Sequence, residues 1–121
     1  MKTKQHKPFL ATHPGELIKD ELVARNLTQT QLAELISVKL PNLNDVIKGK
    51  RSVSAELAVL LEFALDIPAT YWLNLQSQYD IDIANLNSTI IQKKKICKTR
   101  LVRFQNLDKP TSKLRKIKNY A

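Results

Sequence analysis

Along the first 86 residues apolar side chains return every three or four positions with polar ones between them, and long runs of strict alternation are missing. That rhythm predicts an all-α chain. Five helices can be placed on it. The first starts near residues 12–15, where His13 can serve as cap and Pro14 suits the first helical position; Glu16 then sits at the positive end of the dipole. Leu17, Ile18 and Leu22 supply its buried face, and Arg25 and Asn26 end it. A second helix opens at Thr28, whose hydroxyl can accept from the first-turn amides, and Gln31 three residues on completes a capping box.

Leu32, Leu35 and Ile36 continue that second helix until Ser37 and β-branched Val38 discourage it. Pro41 fits only the first turn of a new helix, which runs over 40–48 and stops at Gly49, a residue suited to the left-handed conformation past a helix end. Ser54 is the next N-cap, with Glu56 in the first turn. Behind it Leu57, Val59, Leu60, Leu61 and 63–65 make the fourth helix the most apolar and the expected centre of the core. After Asp66, Ile67 and Pro68 a fifth helix runs over 69–86, its start closing the core with Tyr71 and Trp72.

The second and third helices carry the chemistry. Leu32, Ala33, Ile36, Val38, Leu43, Val46 and Ile47 can lock them across one another, the small Ala33 allowing a close crossing. Left outward are Lys39, Leu40, Asn42, Asn44, Asp45 and Lys48, followed by Lys50 and Arg51. A helix presenting amides and cations beside a tight turn is what a helix-turn-helix uses to enter a DNA major groove. Two ordinary helices with a solvated polar face would have the same pattern.

Charge refines this picture. The chain carries +9, but residues 88–121 hold eleven Lys/Arg against one Asp, while residues 1–87 sum to −1. The excess therefore belongs to a basic C-terminal extension, and only the local cluster of Lys39, Lys48, Lys50 and Arg51, opposed by Asp45, bears on the helical domain. The chain divides into an arm (1–11), a helical domain (12–87) and the extension (88–121). Within the extension, 113–120 could form a short basic helix, and residues 93–118 offer an RNA-binding alternative without the aromatic-rich sheet that usually accompanies one.

One cysteine, Cys97, excludes an internal disulfide and suits a reducing cytoplasm. The basic N-terminus has no apolar segment behind it and the run LAVLLEFAL is short and broken by Glu62, so neither secretion nor a membrane span is expected. His6 and His13 lack a second pair of ligands, so no metal or other cofactor is expected. No catalytic set stands at workable spacing, which argues against an enzyme. On the fifth helix, about 27 Å long, Trp72, Leu75, Tyr79, Ile83 and Leu86 form a stripe that suits a dimer contact. The extension folding back over it is the alternative cover.

Taken in order, HPGELIKDEL, LTQTQLAELI, VIKGKRSVSAELAVLLEFAL and YWLNLQSQYDI resemble the HigA/VapI-type antitoxins of the Xre/Cro-like helix-turn-helix superfamily over residues 12–86. The resemblance implies a five-helix λ-repressor-like domain that dimerises on a palindromic operator, represses its own operon and neutralises a HigB/RelE-like mRNA endonuclease toxin. It also implies that Thr28, Gln29 and Asn42 anchor phosphates or bases, that Lys39, Leu40, Asn44 and Asp45 face the groove, and that Lys48, Lys50 and Arg51 bind the backbone. Where the family usually has Gly-Val-Ser-Arg this chain has Ser37, Val38, Lys39 and Leu40, and Asp45 replaces a cation or amide. Those departures leave two alternatives open, a protein-binding module that has lost its operator and an orphan Xre-family regulator without a toxin.

Overall fold

The computed structural model describes residues 11–108, and the arm 1–10, with His6, and the segment 113–120 lie outside them. Six helices follow one another among the described residues: α1 Pro14–Arg25, α2 Gln29–Leu35, α3 Leu40–Ile47, α4 Ala55–Leu65, α5 Ala69–Leu86 and α6 Ser88–Asp108. The expected five are therefore joined by a sixth. The chain forms two compact units, Met1–Ile83 and Ala84–Ala121.

In the first unit α1, α2 and α4 begin where a side chain accepts from their orphan amides. His13 Nδ1 accepts from the Gly15 amide at 2.9 Å with Pro14 behind it, and Ser54 Oγ accepts from Leu57 at 3.1 Å. At Thr28 the capping box is complete: its hydroxyl accepts from the Gln31 amide at 3.0 Å, and its own amide donates to Gln31 Oε1 at 2.9 Å. Three helices end in the same backbone device, in which a left-handed residue lets two amides turn back onto the last carbonyls. Asn26, Ser37 and Gly49 occupy that position, at φ of 59°, 58° and 81°.

The core is built from Ile18 and Leu22 of α1, Leu32 and Ala33 of α2, Leu43, Val46 and Ile47 of α3, Leu57, Ala58, Leu61 and Leu65 of α4, and Trp72 of α5. Both α1 and α2 pack closely on α3. Centrality thus belongs to α3, whereas α4, expected to be surrounded, turns Val59 and Phe63 to solvent, the latter 88% exposed. Only the Leu57, Ala58, Leu61, Leu65 stripe of α4 faces inward, because a helix on the outside of a small globule has one face to bury.

The packing gives the members of the expected dimer stripe different surroundings. Trp72 is fully enclosed, its indole N–H donating to the Ile67 carbonyl at 3.1 Å, so it serves the core and not an interface. Tyr79 is half-buried with its ring edge-on to His13, centroids 4.9 Å apart. Leu75 is half-buried, and Ile83 and Leu86 are exposed.

The second unit contains α6, a 21-residue helix over a stretch where the sequence suggested no helix. Lys, Arg, Gln and Leu lose little rotamer freedom in a helix, and the first Pro beyond Asn87 is Pro110. Asn87 Oδ1 supplies its cap by accepting from Ile90 at 3.1 Å. High positive charge opposes a helix much less than a glycine or proline would.

Candidate nucleic-acid interface

The turn between α2 and α3 is set by Ser37. Its positive φ lets the Ser37 and Val38 amides donate to Glu34 and Ala33 carbonyls at 3.3 and 3.0 Å, which swings the chain off the α2 axis and tucks Val38 against the core. Lys39 then stands at the N-cap of α3 without any side-chain cap bond, so the cation replaces a capping acceptor. Leu40 and Pro41 form the first turn, Pro41 where its missing amide leaves nothing unpaired.

From behind, α3 is gripped by Leu43, Val46 and Ile47, all buried. A methyl placed on Gly15 would lie 2.1 Å from the Val46 carbonyl oxygen and 2.7 Å from that of Ile47. The start of α1 therefore touches the backbone of α3 directly, and the glycine of the HPGE stretch is needed for that approach. Sequence reasoning assigned the close crossing to Ala33 and passed over Gly15; the signal available was a glycine inside the first turn of a helix, where it costs stability unless space demands it.

The opposite edge of α3 is open. Lys39, Leu40 and Lys48 are exposed, and Asn42, Asn44 and Asp45 are half-exposed. Gln29, half-exposed at the start of α2, accepts from Asn44 Nδ2 at 2.9 Å through Oε1. The bond joins the two helices by their polar edges and leaves the Gln29 amide N–H groups and the Asn44 carbonyl oxygen available. Donor and acceptor at that spacing are the chemistry that reads a base edge in the major groove. Thr28, exposed, uses its oxygen as cap acceptor but keeps its hydroxyl proton to donate.

The cations after α3 are held in place. Around Gly49 the amides of Gly49 and Lys50 donate to Val46 and Asp45 carbonyls at 3.0 and 2.8 Å. Further on, the Val53 amide donates to Gln76 Oε1 at 2.8 Å, and Gln76 Nε2 donates to Asp80 at 2.9 Å. Gln76, buried on α5, thereby ties down the loop that carries Lys50 and Arg51, both exposed. It went unnoticed in sequence, although a Gln four residues after Trp72 on the same face is a visible hint. Asp45 lies 3.8 Å from Arg51, a loose and half-exposed pair that draws a carboxylate and one guanidinium together beside the open edge of α3.

Burial holds the His13 imidazole below its ordinary pKa, against the opposing pull of Asp80 and Glu16. Its Nδ1 is occupied as the α1 cap, and no group of three or more His, Cys, Asp or Glu side chains that could hold a metal ion occurs among the described residues. No helix among them is long and apolar enough to cross a membrane.

Known proteins share this arrangement. The sequence profile of the family described as helix-turn-helix matches residues 18–72. An addiction-module antidote protein of the HigA family from Coxiella burnetii is 30% identical in sequence and superimposes with a TM-score of 0.65, over 71% of this chain and 95% of that one. The chain belongs to the Xre-like helix-turn-helix family. Its fold is that of DNA-binding regulators and antitoxins. Another family member of known structure, the Pseudomonas aeruginosa antitoxin HigA with the higBA promoter, is 33% identical, covers 74% of this chain and 91% of its own, and has a TM-score of 0.62. Virulence-associated protein A' of Dichelobacter nodosus is 37% identical over 70 residues, or 57% of this chain, and the match spans 61% of that relative's length.

Proposed function

We propose that this chain is a sequence-specific DNA-binding antitoxin that represses its own operon and neutralises a HigB/RelE-like mRNA endonuclease toxin. The observation that carries the DNA half is the edge of α3, where the Gln29 and Asn44 amides are joined and the cations on either side stay exposed. On a duplex, Gln29, Asn42 and Asn44 read base edges, Leu40 meets a thymine methyl, and Thr28, Lys39, Lys48, Lys50 and Arg51 hold phosphates. Asp45 accepts from cytosine or stays with Arg51. A second copy, joined through the exposed part of the α5 stripe at Ile83, sets two such edges one DNA turn apart, roughly 34 Å, to match a palindrome. The toxin half is supported by the family of antidote proteins to which the chain is similar.

A gel shift with the DNA upstream of the chain's own gene tests the first half. A specific shift at physiological salt is expected, and Lys50→Ala is expected to weaken all sequences alike and lower the salt slope by about one unit. Binding that is sequence-blind and salt-labile would instead favour the protein-binding module, which the exposed Leu40 and the acid at Asp45 recommend.

A further inference from the structure

The most exposed large hydrophobic side chain of the first unit has no place in the DNA-binding edge. Phe63 of α4 is 88% exposed and Leu35, the last residue of α2, is 63% exposed. Together with Ile36, Leu60 and Ala64 they line one depression of about 360 Å³. Val59, one turn before Phe63 and 51% exposed, extends the apolar surface along α4. An exposed apolar patch gathered in one place marks an interaction site, where scattered ones do not.

Its position separates it from the groove-facing edge. Gln29, which bonds Asn44 of α3, is at one end of α2 and Leu35 at the other, about 9 Å away. Likewise Phe63 lies near the end of α4, while the Lys50 and Arg51 loop leads into its start.

The surroundings are acidic. Neither α2 nor α4 contains a Lys or Arg, and Glu34, Glu56, Glu62 and the cap residue Asp66 are exposed on them. Arg25, the cation α1 brings to the end of α4, is already engaged: its Nε meets Glu21 at 2.9 Å and its Nη2 donates to the Leu65 carbonyl at 2.6 Å. A two-fold contact between copies through this face would set its acids against themselves, which argues against self-association here. A basic partner presenting an apolar side chain satisfies both the depression and the acids of the two helices that form it.

We infer that the apolar depression formed by Leu35, Leu60 and Phe63, on two helices whose charged side chains are all acidic, is the docking surface for a basic protein, the toxin of the proposed function, and that a docked partner leaves the DNA-reading edge of α3 free. This rests on the antitoxin reading for the identity of the partner, but not for the surface itself. One copy can then hold operator and partner together.

The test uses the full chain, the protein encoded by the reading frame adjoining its gene as probe, calorimetry for that pair and a gel shift for the operator. Phe63→Asp is expected to weaken the protein pair at least about thirtyfold, as loss of a central apolar anchor does, and Glu34→Lys to weaken it severalfold. Both should leave the operator shift unchanged, and Lys50→Ala should do the reverse. Leu35→Asp stands in if Phe63→Asp melts below the parent chain. Unchanged affinity in all three surface variants overturns the docking surface while the antitoxin reading stands. No binding by the parent chain, or an adjoining frame that encodes no basic protein, overturns both. A dimer that becomes a monomer on Phe63→Asp makes the face a contact between copies and overturns the inference.

Discussion

The two sides of α3 are built to different standards. Behind it, a glycine brings α1 against the Val46 and Ile47 carbonyls, and Ile18, Leu43, Val46 and Ile47 are enclosed. In front, the helix begins at a left-handed serine, an N-cap that makes no cap bond and an exposed leucine. Local stability has been maximised where the helix is held and given up where it faces outward. Residues facing a ligand are chosen for what they touch there, so they need not be the best choices for the free fold.

Breaking the rear should therefore have the largest effect. In Gly15→Ala the added methyl meets backbone oxygens, which cannot rotate away as a side chain could, so α1 and α3 must separate. A loss of about 3 kcal/mol is expected in urea unfolding, with the operator shift lost as well because α3 is displaced. An unchanged midpoint would mean the crossing has slack and the contrast between the two sides is not real. Gln76→Leu comes next: similar in volume, it leaves the buried Val53 amide without an acceptor, for a loss of about 1–3 kcal/mol. Its second readout is the loop. Phosphate contacts by Lys50 and Arg51 should weaken with it, seen as a shallower salt slope, whereas a purely structural Gln76 would leave that slope alone.

The contrast also separates what was legible in the sequence from what was not. Caps were legible because they depend on neighbours in the chain: His13-Pro14, the Thr28 and Gln31 box, Ser54 and Gly49 all stand where sequence placed them. Facing was less so. Trp72 and Phe63 both sit in apolar helical patterns, yet one is fully enclosed and the other almost bare, since the choice of face depends on which helices lie alongside. Gly15 and Gln76 act on residues 31 and 23 positions away, which no local pattern reveals. The α6 helix has no such long-range cause: its stretch is densely charged but holds no glycine or proline, so local propensity suffices for it.

At the front, repair should stabilise. Lys39→Ser restores a capping oxygen and is expected to add about 1 kcal/mol. Ser37→Gly relieves the left-handed backbone at 58° and should add somewhat less, about 0.5–1 kcal/mol. Thermal melting checks both. The two should part on DNA: Lys39→Ser loses a cation and about one unit of salt slope, while Ser37→Gly keeps the slope. If Lys39→Ser raised stability and left operator affinity and slope intact, the lysine would have no function at the DNA edge to offset its lost cap.

The smallest effect is also the one that reports on the rear alone. His13 accepts from the Gly15 amide through Nδ1, so a proton on that atom removes the α1 cap, and burial of the ring disfavours the charge further. The folded pKa is below the ordinary value, so the unfolded chain takes up the proton first as pH falls. Stability is then fully present above about pH 6.5 and declines below it, until the folded imidazole protonates too. Asp80 and Glu16 pull the other way. Unfolding midpoints between pH 7.5 and 5 should fall in the parent chain by more than in His13→Asn, whose amide oxygen can cap without titrating. Because the cap lies beside Gly15, this acid sensitivity should accompany loosening of the α1 and α3 crossing and leave the Ser37 turn untouched. Equal pH profiles for parent and variant would mean that the imidazole at the cap titrates alike in the folded and unfolded chain.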